Sequence, residues 1–208
     1  MFDLTGQSAL VTGATGGIGG AIARALHAQG AAIAISGTRR EALEALASEL
    51  GDRVHICPAN LSDATSVEAL VPHAEDAMGG LDILVNNAGV LFFSGFENYN
   101  DTQINTLIDV NIKGVANVIR HFVPKMQAAN SGAIINMSSD WGRIPDAYVA
   151  AYCASKFAIE GLTKALAKEL PSQMVTVAVS PLIVLTAMLE ECRHLLLPGE
   201  YELGVPPD

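Results

Sequence analysis

Six short apolar runs alternate with longer stretches of helical period, and this alternation narrows the choice of fold more than any other feature of the chain. The runs are SALVT (8–12), AAIAIS (31–36), RVHICP (53–58), LDILVN (81–86), GAIINMS (132–138) and MVTVAVS (174–180). Between them the helical patterns fall at about 17–29, 39–50, 63–78, 101–128 and 150–170. The runs are apolar throughout rather than alternately apolar and polar, as expected of strands covered on both faces of a parallel sheet. Strands alternating with helices predict right-handed crossovers and a doubly wound, Rossmann-like α/β sheet with helices on both faces. No internal repeat, low-complexity tract or linker interrupts the 208 residues, so one domain is expected.

Composition bounds the function. With 50% hydrophobic and 16% charged residues the chain reads as a globular domain. A formal net charge of −10, from 12 basic and 22 acidic residues, argues against a nucleic-acid partner. The longest apolar runs, such as VTVAVSPLIVL, are too short to span a bilayer, so no membrane partner is expected. Cys57, Cys153 and Cys192 are scattered and form no CxxC, which suits a reduced, cytoplasmic setting. No secretory leader is evident. The five histidines form no ligand cluster, and no metal site is expected.

In a doubly wound sheet, ligands bind beyond the carboxyl ends of the strands, where the strand order reverses. The first strand is followed by TGATGGIG (12–19), a glycine-rich turn opening a helix, able to bring backbone and helix amides onto a pyrophosphate. A plain structural turn is the competing reading. After the second strand, SGTRRE (36–41) lacks the acidic residue that commonly binds the ribose 2′-hydroxyl of NAD. It offers Thr38, Arg39 and Arg40 instead, and a guanidinium suits the 2′-phosphate of NADP, although both arginines also fit an exposed first helical turn. Asn60 follows the third strand, where it can meet an adenine edge. The fourth ends in NNAG (86–89), whose asparagines can tie strand ends together while Ala88 and Gly89 leave room for a cofactor. The fifth ends at Ser138 and Ser139, which can cap the turn, and the sixth runs on to Pro181 and Thr186.

Tyr152 and Lys156, four residues apart, share one face of the last helix. A phenol is a poor base at neutral pH unless a nearby cation favours the phenolate. So tuned, it can pass a proton to or from a carbonyl oxygen that a serine holds. YxxxK alone equally fits an ordinary helix surface.

As an ordered set, TGxxxGIG, NNAG, the asparagine of DVNIKG, Ser139, YxxxK and a Pro–Thr segment make the chain resemble the short-chain dehydrogenase/reductase family over about residues 4–186. The resemblance implies an NADPH-dependent oxidoreductase that reduces the carbonyl of an aldehyde or ketone. Asn111, Ser139, Tyr152 and Lys156 would be catalytic: Tyr152 the acid/base, Ser139 steadying the substrate, Lys156 also binding the nicotinamide ribose, and Asn111 holding a relay water. Ser139 takes its role over Ser138 by its family spacing to Tyr152, and Tyr148 is excluded because residue 152 is not lysine. NADP(H) contacts would come from Gly13, Thr15, Gly17, Ile18, Gly19, Thr38, Arg39, Asn60, Leu61, Asn87, Ala88, Gly89, Tyr152, Lys156, Pro181 and Thr186.

The first part of the chain, to about residue 89, resembles bacterial 3-oxoacyl-acyl-carrier-protein reductases. From DVNIKGVANVIRHFVPKM onward it resembles NADPH-dependent pterin aldehyde reductases. Reduction of a 3-oxoacyl thioester is therefore an alternative activity, weakened by the lack of arginine in QAANSGA and ELPSQMVT. Leu182 stands where the family usually has glycine, so its side chain is expected either to crowd the cofactor or to divert the backbone. About 187–208 is expected to be a shortened substrate region, ending before the seventh strand of the family. A truncated nucleotide-binding scaffold is the third alternative. The family's assembly through its two long central helices implies a homodimer, with the short tail counting against a tetramer.

Overall fold

A computed structural model describes residues 2–182 together with 184, 186 and 188. Six strands form one wholly parallel sheet in the order β3-β2-β1-β4-β5-β6. They are β1 (Ser8–Thr12), β2 (Ala32–Ser36), β3 (Val54–Ile56), β4 (Ile83–Asn86), β5 (Gly132–Met137) and β6 (Met174–Val179). The helices are α1 (Gly17–Ala28), α2 (Arg40–Leu50), α3 (Ala64–Met78), α4 (Asp101–Ile108), α5 (Val115–Ala129) and α6 (Ala150–Glu169). All six predicted strands and five predicted helical regions are present, with ends that match or shift by at most a few residues. Family features expected of the tail fall outside the described residues.

The chain leaves β1 toward β2 and β3, then returns to lay β4 along the other side of β1. The strand order therefore reverses between β1 and β4, and their carboxyl ends open the ligand crevice. All of β1 and nearly all of β2 are buried, as their unbroken apolar character predicts. One core joins α1 and α2 to the sheet through Ala23, Leu43, Ile33 and Ile35. On the other, Val67, Leu70, Phe122, Met126 and Ile159 of α3, α5 and α6 pack together. Strand β6 departs from the two-sided pattern: Val175, Val177 and Val179 are exposed.

The predicted helix over 101–128 is interrupted. Between α4 and α5 the backbone widens into a π turn, Asp109–Gly114, with Asn111 buried inside it. Such a turn re-aims one side chain that regular α-helical spacing would send elsewhere.

Candidate active site

At the strand reversal, Gly13 takes φ +64, and a Cβ there would lie 2.8 Å from the Ala88 Cα. Only glycine lets the β1–α1 turn pack so closely on the segment after β4. Asn87 holds the two together, its Nδ2 donating to the carbonyls of Thr12 and Gly13 at 3.1 Å each. The neighbouring asparagine does the purely structural work foreseen for the pair. Asn86 Nδ2 donates to Asn136 Oδ1, Asn136 Nδ2 donates to Thr163 Oγ1, and Thr163 Oγ1 donates to the Ile159 carbonyl. This buried ladder ties the ends of β4 and β5 to α6.

Every predicted cofactor contact lines one cleft of about 510 Å³, which runs from the glycine-rich turn to Ser139 and Tyr152. Arg39 lies at the far end, its Nη2 donating to the Thr15 carbonyl at 2.8 Å, so the exposed guanidinium folds over the glycine-rich turn. Asn60 turns one amide atom to its own loop, where Oδ1 accepts from the Ser62 amide and hydroxyl. The turn, the helix α1 that it opens and the guanidinium fit a pyrophosphate and a further phosphate, the donor set of a dinucleotide site.

Ser139, Tyr152 and Lys156 gather at the other end of the cleft. Ser139 Oγ accepts from the Trp141 amide at 3.2 Å, leaving its own hydroxyl hydrogen to donate elsewhere. The Tyr152 hydroxyl is pushed up to about 12 by burial, a rise that the Ser139 hydroxyl offsets in part and a nearby Cys153 adds to. The Lys156 ammonium lies 5.4 Å from the Tyr152 ring centre and donates to the Met137 carbonyl at 2.8 Å. Without the cationic ring of a cofactor beside it, removal from water outweighs one cation that is itself paired elsewhere, and the phenol stays neutral. Lys156 is 5% exposed, and burial brings its ammonium down to about 8.

Asn111 does not line the cleft. From the π turn it reaches the strand exit and α6 at once: Oδ1 accepts from the Val90 amide, and Nδ2 donates to the Val90 carbonyl and to Ser155 Oγ. Ser155 in turn donates to the Tyr152 carbonyl. Both amide hydrogens are therefore committed to protein, and Asn111 fixes the segment after β4 against the helix that carries Tyr152. A Cβ on Gly89 would lie 3.5 Å from Asn111 Oδ1 and 3.7 Å from Lys156 Nζ, so the missing side chain leaves space beside both.

Three further features escaped the sequence reading. Trp141, in the 3₁₀ turn Asp140–Gly142, lies between Phe93 and Tyr152. Glu160, one turn beyond Lys156, is buried and pairs with Arg143 at 3.0 Å and Lys164 at 3.3 Å. Arg143, Lys164 and the Ser138 hydroxyl hold its carboxyl below the usual range against the opposing pull of burial. Gly142 adds a second attachment: a Cβ there would lie 3.0 Å from Lys156 Cβ, so the turn after Ser139 rests directly on α6. Leu182 stands in the left-handed region that favours glycine, φ +61, with its side chain 73% exposed. Leu182 lines the cleft, where its side chain can crowd a bound cofactor.

The sequence profile described as short chain dehydrogenase matches residues 7–195. The chain belongs to the short chain dehydrogenase family. Among curated relatives, it is 44% identical over 195 residues to nodulation protein G of Rhizobium meliloti strain 1021, covering 93% of this chain and 80% of that protein. It is 40% identical over 189 residues to an NADPH-dependent pterin aldehyde reductase of Arabidopsis thaliana, covering 89% and 78%. Among solved structures, a metagenomic short-chain oxidoreductase in complex with NADP aligns at TM-score 0.81 and 39% identity, covering 86% of this chain and 83% of that one. A 3-ketoacyl-(acyl-carrier-protein) reductase from Brucella melitensis complexed with NADH aligns at TM-score 0.87 and 32% identity, covering 90% and 80%. Family membership makes the chain an oxidoreductase by kinship, with both NAD- and NADP-bound neighbours. No helix among the described residues is long and apolar enough to cross a membrane.

Proposed function

We propose that the protein reduces the carbonyl group of an aldehyde or ketone to an alcohol with NADPH. One observation carries this reading: a serine hydroxyl, a neutral buried phenol and a buried ammonium share one end of a cleft whose other end fits a dinucleotide. When bound, NADPH supplies the hydride. Ser139 donates to the carbonyl oxygen and holds it beside Tyr152. A phenol that is neutral at working pH is the right starting state for a reductase, because Tyr152 then has the proton to give as charge develops on that oxygen. Lys156, whose ammonium lies 5.4 Å from the Tyr152 ring centre, stabilises the phenolate left behind. Asn111 keeps α6 in register with the strand ends. Preference for NADPH over NADH rests on Arg39, and the kinship with a pterin aldehyde reductase supports it.

Reduction of a 3-oxoacyl thioester is a second reading, favoured by the alignment with the Brucella carrier-protein reductase. NADPH oxidation assayed with aldehydes, ketones and acetoacetyl thioesters separates the two. Turnover of none, with NADPH still bound, would leave a nucleotide-binding scaffold. Tyr152→Phe removes the proton donor and little else; we expect at least a ~10²-fold loss of kcat with NADPH affinity unchanged. A near-native rate would overturn the assignment of the acid. For assembly the same reading takes a homodimer through the central helices, where Ile108 and Phe157 are exposed apolar residues. A sedimentation profile of monomer alone would refute it.

A further inference from the structure

Beside the proton-transfer groups stands a small aromatic wall. The rings of Phe93 and Trp141 are 5.6 Å apart at 75°, and those of Trp141 and Tyr152 are 6.1 Å apart at 90°. The indole is half-buried and lines the cleft, with Leu91 and Leu182 contributing apolar surface to the same cavity. It is also tied to the chemistry, because its own backbone amide donates to Ser139 Oγ. The hydroxyl assigned to the carbonyl oxygen and the ring beside it therefore sit in one short turn. That turn is anchored to α6 by the Arg143–Glu160 pair and by the close approach of Gly142 to Lys156.

From this arrangement we infer that Trp141 selects the substrate: the site takes uncharged carbonyl compounds bearing an aromatic ring next to the carbonyl, and the ring packs against the indole. The inference rests on the carbonyl-reductase reading and names its substrate class. Two physical arguments carry it. A wall whose rings already hold one another edge to face loses little freedom when a further ring joins it. Aromatic pairs of this kind add roughly 0.5–1.5 kcal/mol beyond the area that they bury. Charge points the same way. Among the described residues lining the cleft, the charged side chains are Arg39, Asp140 and Lys156. Arg39 is at the dinucleotide end on the Thr15 carbonyl, and Lys156 is held by the Met137 carbonyl. Asp140 accepts from Ser180 Oγ and would repel an anion. A phosphate or carboxylate near the reacting carbonyl thus meets the carboxylate of Asp140, while the nearby cation, Lys156, is 5% exposed.

The test compares benzaldehyde with cyclohexanecarbaldehyde, close in size but differing in the flat ring, as substrates for NADPH oxidation. Comparing the kcat/KM ratio between wild type and variant cancels the intrinsic reactivity of the two aldehydes. Trp141→Leu should lower the benzaldehyde-to-cyclohexanecarbaldehyde ratio by about 3- to 10-fold, Trp141→Phe should retain most of it, and NADPH affinity should be unchanged in both. If the leucine variant does not fold, Trp141→Met takes its place. A ratio within twofold of wild type in the non-aromatic variant overturns the inference and leaves the reductase reading standing. A second readout does not depend on turnover: Trp141 is the chain's sole tryptophan. In the Tyr152→Phe protein with NADP⁺, benzyl alcohol should perturb its fluorescence at concentrations where cyclohexylmethanol does not. Equal responses overturn the inference. Failure of every carbonyl as a substrate would instead remove the reductase reading, and the fluorescence titration would still decide whether a ring binds at Trp141.

Discussion

Replacing Lys156 with methionine should make the cofactor-free protein more stable at neutral pH while abolishing its activity. Lys156 is 5% exposed, and its one hydrogen bond among the described residues goes to the neutral Met137 carbonyl. Burial takes its pKa from 10.5 to about 8. At about 1.4 kcal/mol for each pH unit, the folded protein carries a penalty of about 3 kcal/mol for an ammonium kept charged at pH 7. The sign follows from the depressed pKa of a base. The penalty is present in full below pH 8, declines as pH rises because the unfolded chain then binds more protons than the folded one, and is gone above 10.5. Methionine removes the charge and nearly keeps the volume, but leaves the carbonyl without that donor at a cost of about 1–3 kcal/mol. The net gain at pH 7 is therefore about 1 kcal/mol, or roughly 2–4 °C in Tm for a domain of this size. The pH dependence is the sharper quantity, because the carbonyl and packing terms do not titrate. Urea unfolding of both proteins from pH 7 to pH 10 should show the advantage of the variant shrinking by about 2 kcal/mol. A stability difference that stays constant across that range would refute the assignment of a costly buried ammonium.

The remaining expectations concern three side chains around the cleft. Arg39→Ala should weaken NADPH about 10-fold, the lower end of what a charge-assisted hydrogen bond contributes at an exposed site, and NADH by less than about 3-fold; equal losses in binding titrations would show that Arg39 does not read the 2′-phosphate. Leu182→Gly relieves a left-handed conformation that costs a side-chain-bearing residue roughly 1–2 kcal/mol, so after the added chain entropy of glycine its Tm should rise by about 1–3 °C; a lower Tm would mean that the leucine side chain compensates for the strain. Glu160→Ala should lower kcat about 10-fold by loosening the Ser139 turn from α6, with NADPH affinity unchanged and Glu160→Gln largely restoring the rate; parallel loss of kcat and NADPH binding would mean a general structural role instead.

The strand ends were readable because each carries an abrupt change of residue type: apolar runs give way to Gly13, Asn86 or Ser139 where the backbone must turn or a side chain must reach across. The interrupted central helix was not. Apolar periodicity continues through DVNIKG, and the widening that buries Asn111 depends on Val90 and Ser155, which lie 21 and 44 residues away in the chain. Lys156 was recognisable as a cation beside a phenol, but its true acceptor is a main-chain carbonyl, and Met137 carries no sequence sign of that. Arg143 and Glu160 are 17 residues apart, in a turn and a helix that only the folded sheet brings together. Trp141 stood in plain view two residues after Ser139, and an indole at that place could have been read as part of the cleft.

The π turn has a consequence for how this helix pair responds to length change. It holds about one residue more than an α-turn spanning the same rise. Deleting Val110 would let α4 and α5 close into one continuous helix, so the lesion would heal locally rather than shift the whole of α5. What would be lost is the inward bulge that carries Asn111 to Val90 and Ser155. The helix is thus a joint in which backbone continuity and site assembly are separable: a single-residue deletion could spare the fold and still uncouple the helix of Tyr152 from the strand exit beside it.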